Sequence, residues 1–394
     1  MTRMNWAVEK LEKAKADGLF RELRTLEHLK GTSATLKGRE VTLFCGNDYL
    51  GLSQHPRLKA AAHETIDSWG VGAGSARLIA GTSKFHSALE VRIAQFLGKQ
   101  RTLVFSSGYL ANLGALTALT ESGDLILLDK LCHASLIDAA HMSSAVVRVY
   151  PHRNLKYLER LLKQSKAKRT WIVTDSIFSM DGDLAPLVEL VTLKQRYGSY
   201  LVIDEAHATG VFGANGRGVS EHLGVLEKVD VHIGTCSKAV GALGGFVAGA
   251  NELIELLINR ARTFIFDTAL PPSICAASIA AFDLIQEEPE LRKKLWRNVE
   301  RLKAGFENLN LRVPNVCSPI IPIVIGDEKK ALQQAQALLE EGFLVPAVRY
   351  PTVPRGKARL RLTVSSAHSE SDLDRLLEAF GRIANAPRTE ALFV

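Results

Sequence analysis

VHIGTCSKAVGALGGFVAGA, residues 231–250, joins a β-branched run at Val231 and Ile233 to a glycine-rich turn in which Lys238 is the only formal charge. The run reads as a buried strand and the turn as a connection that other groups approach closely. An ammonium isolated among small and apolar residues is disfavoured, so the free amine becomes nucleophilic and can condense with a carbonyl compound. Hydroxyls at Thr235 and Ser237 suit a phosphate, and Gly241, Gly244 and Gly245 let backbone come close to a ligand. Together these features point to pyridoxal phosphate (PLP). Taken alone, a lysine in a glycine-rich turn is more often a solvated loop residue, so the decision rests on what surrounds it.

Outward from this stretch the chain alternates short apolar runs with helical patterns. Runs at 102–106, 125–129, 145–150, 171–175 and 200–205 precede the strand at 231–235, and 246–250 follows it. Helices are expected at 108–120, from 133 onward, at 155–164 and at 186–197. Strands that are apolar throughout and separated by helices predict an α/β fold with a mostly parallel seven-stranded sheet covered on both faces. Ligands of such sheets bind beyond the carboxyl ends of the strands. The expected division is an N-terminal helical arm at 1–45, a large domain at 46–285 and a smaller C-terminal α+β domain at 286–394. Residues 1–30 read as an amphipathic helix and basic turn, with Trp6, Val8, Leu11 and Leu19 as buried positions.

With 46% hydrophobic and 23% charged residues over 394 positions, the chain belongs with globular rather than disordered proteins. The net charge of +7 comes without a long Lys/Arg block, so neither nucleic acid nor a membrane surface is an expected partner. Five scattered cysteines without a C-x-x-C pair argue against a disulfide framework or a metal site. No run of eighteen apolar residues and no apolar leader occur. A cytoplasmic location is expected.

Asp204 closes the run YLVIDE, with His207 three residues on. A carboxylate at a strand's carboxyl end can hold a pyridine nitrogen protonated, although such an aspartate is also a common helix cap. Asp204 to His207 also spells the DEAH of a nucleotide-driven ATPase. That reading needs G-x-x-x-x-G-K-[ST] upstream, and none is present. Ser106 to Tyr109 joins a strand to a helix start, where N–H groups and the helix dipole favour a phosphate. His133 opens another helix, from which an imidazole could stack on an aromatic ring. Arg21, Arg359 and Arg361 are candidate carboxylate clamps, the last two sharing one face of a strand.

With these residues in this order, the chain resembles the α-oxoamine synthase family of fold-type I PLP enzymes over nearly its whole length. The resemblance is carried by NDYLGL (47–52), GAGSARLIAGTSKFHSALE (72–90), SSGYLAN (106–112), FSMDGDLAPL (178–187), DEAHATGVFG (204–213), GTCSKAVGALGGF (234–246) and PTVPRGKARLRLTVSSAH (351–368). It implies that Lys238 binds PLP covalently, that Asp204 meets the pyridine nitrogen, and that His207 and Ser179 lie near the phenolic oxygen. It further implies that Gly108, Tyr109, Thr235 and Ser237 hold the phosphate, that His133 stacks on the ring, and that Arg21, Asn47, His133, Thr352 and Arg361 meet the substrates. Members of the family are homodimers, which implies that Ser75 and Thr268 act across the interface. DEAHATG, the serine before the lysine and PTVP-x-G-x-ARLRLT are similar to the branch that joins L-alanine to pimeloyl-CoA or pimeloyl-ACP in biotin biosynthesis. Glycine with acetyl-CoA is the alternative. Cys236 departs from that branch, where a bulky apolar residue is frequent.

Overall fold

Seven strands form the largest sheet of the computed structural model, which describes residues 4–311, 313 and 316–384. They are β1 (Arg101–Phe105), β2 (Leu125–Asp129), β3 (Val146–Tyr150), β4 (Thr170–Asp175), β5 (Tyr200–Asp204), β6 (Val231–Thr235) and β7 (Gly245–Gly249). Their spatial order is β1-β7-β6-β5-β4-β2-β3. All neighbouring pairs are parallel except those that β7 makes with β1 and β6. The exception follows from chain length: a parallel return needs a crossover of about a dozen residues or more, and 236–244 is too short. β7 therefore turns straight back beside β6, and Lys238 sits in the turn.

The central strands are buried because helices cover them. Helix α1 (Gly108–Leu119) is almost wholly apolar and buries Ala111, Ala115, Leu116 and Leu119 in a cluster with Ile126, Val173, Val202, Val231 and Val247. Helix α2 (Ala134–Met142) adds Leu136, Ala139 and Ala140 to it. Each large aliphatic side chain buried in this way contributes roughly 1.5–3 kcal/mol. The edge strand β3 leaves Val146 and Val149 about half exposed, and Arg148 breaks its apolar run, as suits an unpaired edge.

Residues 47–179 and 183–293 form one compact unit, and the described residues of 1–46, 180–182 and 294–394 form another. In the second unit, Ile320–Gly326, Ala358–Thr363 and Ala347–Val348 make an antiparallel sheet. The N-terminal part differs from its expected form. Its helix stops at Ala16, and Trp6, Val8 and Leu11 are all more than half exposed. Positions 6 and 8 lie about 200° apart around a helix, so they cannot share a buried stripe. Residues 26–43 are strands instead: Leu26–Lys30, Ser33–Leu36 and Arg39–Leu43 form a meander. Its second turn has Lys37 and Gly38 both at positive φ, the geometry favoured in two-residue hairpins. Arg39–Leu43 pairs in parallel with Phe343–Leu344, so this segment shares a sheet with the C-terminal part of the chain.

Among the described residues no helix is long and apolar enough to cross a membrane, and no cluster of metal-binding side chains occurs.

His152 bonds Asp129 through Nδ1 and Asp183 through Nε2, each at 2.9 Å. Burial alone would lower its pKa, but these two carboxylates outweigh burial and raise it to about 9. The protonated ring therefore stabilises the fold fully below the unfolded value near 6.5, and that contribution disappears as pH rises through about 9. Thermal midpoints measured from pH 6 to 10 are expected to fall more steeply in wild type than in His152→Gln. Parallel curves would contradict this.

Candidate active site

Sheet register brings the site together. Phe105, Gly245 and Thr235 lie side by side in adjacent strands, so the start of α1 abuts the loop carrying Lys238. The approach is close: a Cβ on Gly245 would come within 2.4 Å of the Ser107 carbonyl oxygen and 2.5 Å of Gly108 Cα. Ser107 caps α1, its Oγ accepting from Leu110 N at 3.2 Å. Opposite this helix start, Thr235 Oγ1 lies 2.7 Å from Ser237 Oγ and donates to the Gly244 carbonyl at 2.6 Å. Two hydroxyls and the first turn of a helix thus face one small space, an arrangement suited to a phosphate.

The Lys238 turn is equally constrained. Gly241 N donates to the Lys238 carbonyl at 2.8 Å, and Gly241 takes φ +74°, with an added Cβ only 2.5 Å from Ser53 N. Cys236 is buried, and burial pushes its thiol up to about 12. The residue that departs from the expected pattern is therefore a packing group without nucleophilic character.

Beside the loop, β5 ends at Asp204, whose side chain is buried and held from two sides. Asn112 Nδ2 donates to Oδ2 at 2.7 Å and Ala206 N donates to Oδ1 at 2.8 Å. Asp175, at the end of β4, is its register partner and accepts from His133 N at 2.8 Å. Burial first, and the Asp204 charge second, push the Asp175 carboxyl well above the usual range, while Lys238 acts in the opposite sense. His133 titrates below its ordinary value through burial, partly offset by Asp204 and reinforced by Lys238. His133 and Asp175 are therefore both within electrostatic reach of Asp204 and Lys238. His207 Nδ1 lies 2.7 Å from the hydroxyl of buried Tyr49, which lies 3.3 Å from Asn47 Oδ1.

The remaining expected residues fall into two groups. Ser75 and Thr268 are brought together by a bridge between Ala76 and Thr268 and by Ala269 N donating to the Ser75 carbonyl at 3.0 Å. Ser179, half-buried, stands shortly after β4. Tyr109 contributes to the helix start through its backbone only, since its exposed ring turns its hydroxyl to Asp138. Arg21, Thr352 and Arg361 belong to the other compact unit. There Arg21 donates to the Tyr350 carbonyl at 3.3 Å and, with Arg24 and Arg349, lines a groove of about 900 Å³. Thr352 is exposed in a turn, and Arg361 is buried on its strand. Arg359 is committed elsewhere, paired with Asp181 at 2.5 Å and bonded to the Met180 carbonyl at 3.1 Å.

Four residues of the pocket were not singled out from the sequence: Asn112, Ser135, Asp175 and Tyr49. A signal existed for Asn112, an amide on an otherwise apolar helix face. Glu205 of the DEAH tetrad caps the short helix Val219–His222, accepting from Val219 N and Ser220 N at 3.0 and 2.8 Å. The tetrad is thus a carboxylate for the pocket followed by a structural cap.

PLP fits these residues. The Thr235 and Ser237 hydroxyls beside the first turn of α1 suit its phosphate, the buried Asp204 carboxylate suits its pyridine nitrogen, and Lys238 suits its aldehyde. The class I and II aminotransferase family matches residues 39–380. The 8-amino-7-oxononanoate synthase of Geotalea daltonii is 46% identical over 379 residues, covering 95% of this chain and 96% of that protein. Serine palmitoyltransferase from Sphingomonas wittichii superposes with a TM-score of 0.94 at 31% identity, covering 100% of this chain and 99% of that one. A serine palmitoyltransferase from S. paucimobilis with bound PLP–myriocin aldimine gives 0.93 at 30% identity over 98% of both chains. The fold is that of fold-type I PLP-dependent transferases, and the chain belongs to the class I and II aminotransferase family, within it to the 8-amino-7-oxononanoate synthases.

Proposed function

We propose that the protein is a PLP-dependent acyltransferase that condenses L-alanine with a pimeloyl thioester. The reaction releases carbon dioxide and the carrier thiol and yields 8-amino-7-oxononanoate for biotin biosynthesis. The observation that carries this reading is identity of 46% to a synthase of that name over 95% of the chain. A lysine, a buried aspartate and paired hydroxyls around one rim support it.

Bound PLP supplies an electron sink for negative charge at the alanine Cα. The chain's own groups do the rest. Lys238 anchors the cofactor, and its amine, once released, takes the Cα proton as general base. Asp204 keeps a proton on the pyridine nitrogen, and the Ala206 N–H and Asn112 amide hold that carboxylate in place. Thr235, Ser237 and the start of α1 fix the phosphate. His133, His207, positioned by Tyr49, and Ser179 would help to hold the cofactor, His133 at its ring and the other two at its phenolic oxygen. Asn47, Arg21, Thr352 and Arg361 meet the substrates, the arginines through their fit to carboxylates.

A second copy of the chain completes the site in this reading. Val71, Leu78, Ile79 and Phe266 are apolar and largely exposed close in sequence to Ser75 and Thr268, where a homodimer would cover them. Five free cysteines suit the cytoplasm.

The test supplies alanine, glycine and serine in turn with pimeloyl-, acetyl- and succinyl-CoA, and alanine with pimeloyl-ACP, and follows thiol release. Alanine with a pimeloyl thioester is expected to be preferred. Preference for glycine with acetyl-CoA would replace this reading with glycine C-acetyl transfer.

A further inference from the structure

Asn112 is buried in the middle of α1, 1% exposed, and both of its hydrogen bonds leave from one atom. Nδ2 donates to Asp204 Oδ2 at 2.7 Å and to Ser135 Oγ at 2.8 Å. Its Oδ1 has no hydrogen-bond partner among the described residues. An amide retained for packing would use its carbonyl, since an unpaired buried acceptor costs about 1–3 kcal/mol. The orientation is fixed all the same: a flip would set the carbonyl oxygen against a carboxylate oxygen.

The second bond continues toward His133. Ser135 Oγ lies 2.7 Å from His133 Nδ1, and Ser135 N points at the same nitrogen from 3.3 Å. A backbone N–H can only donate, so Nδ1 is an acceptor. With Asn112 donating into the serine oxygen, the hydroxyl proton is free to point at Nδ1 as well. Two donors converging on Nδ1 leave the ring proton of a neutral histidine on Nε2. The lowered proton affinity of His133, caused first by burial, agrees with a neutral ring.

We infer that Asn112 is a positioning residue that sets two proton positions with one amide group. One N–H keeps Asp204 an acceptor-only carboxylate, and the other turns the Ser135 hydroxyl toward His133 Nδ1, fixing the histidine proton on Nε2. The carboxylate beneath the proposed pyridine nitrogen and the histidine proposed to stack on the ring are thereby tied together through one buried amide. The inference rests on the reading under which Asp204 and His133 face the cofactor.

The test is NMR of holoenzyme carrying 15N-labelled histidine, with the His133 signal assigned by its loss in His133→Asn. In wild type, Nδ1 is expected to be unprotonated and Nε2 protonated. Asn112→Ala and Ser135→Ala are each expected to raise the His133 protonation constant about threefold or more, because a hydrogen bond to the neutral form is lost. Deuterium exchange at the alanine Cα is expected to slow about tenfold in Asn112→Ala and by less in Ser135→Ala, where the bond to Asp204 survives. Should Asn112→Ala fail to fold, Asn112→Leu keeps the side-chain volume without a donor, and the same changes in His133 titration and exchange are expected. A proton found on Nδ1 in wild type overturns the inference, as does an Asn112 variant in which either the His133 titration or the exchange rate stays at its wild-type value. If wild type exchanges no alanine proton at all, the functional reading falls instead, and the His133 titration alone decides.

Discussion

Replacing Lys238 with alanine is expected to lower thiol release by about 10⁴-fold or more, roughly 5.5 kcal/mol in barrier height. The substitution removes the covalent anchor and the proposed base together, so losses that would otherwise be separate fall on one residue. Lys238 is half-buried in a turn whose backbone is fixed by Gly241 at φ +74°. The absorbance of bound PLP should also stop responding to alanine. A variant that still responds to alanine and turns over within tenfold of wild type would remove Lys238 from both roles.

Asp204→Asn should slow deuterium exchange at the alanine Cα by about 10²–10⁴-fold, roughly 3–5 kcal/mol. The amide retains an acceptor but not the charge that keeps a pyridine nitrogen protonated. The fold is expected to survive. Removing the Asp204 charge relieves Asp175, whose carboxyl is pushed up by burial and then by that same neighbour. Loss of exchange without loss of thermal midpoint would therefore separate chemistry from stability. Wild-type exchange in this variant would mean that Asp204 does not support the electron sink.

What could be read in the sequence followed how local each signal was. LILLD at 125–129 and ARLRLT at 358–363 coincide with observed strands, the first because a short apolar run has few other places to go, the second because its strict alternation fits a strand. The helix expected over residues 1–30 forms only at Asn5–Ala16 and buries none of its residues, because helical composition without a consistent face buries nothing. The strand Leu26–Lys30 escaped notice for the complementary reason: it is exposed along its whole length and shows no alternation. Arg359 and Arg361 were equivalent candidates on one strand face, yet the ion pair with Asp181 commits Arg359 to the architecture.

By itself the sequence determined the alternating α/β pattern, the lysine in its glycine-rich turn, the carboxylate ending an apolar strand and the family to which these belong. All of these are properties of short, contiguous segments. Tertiary structure alone decided that Thr235 meets the start of α1 and that Asn112 joins Asp204 to Ser135 and His133. Those contacts link residues far apart along the chain, and only the register of the sheet and the packing of α1 and α2 onto it bring them within hydrogen-bonding distance.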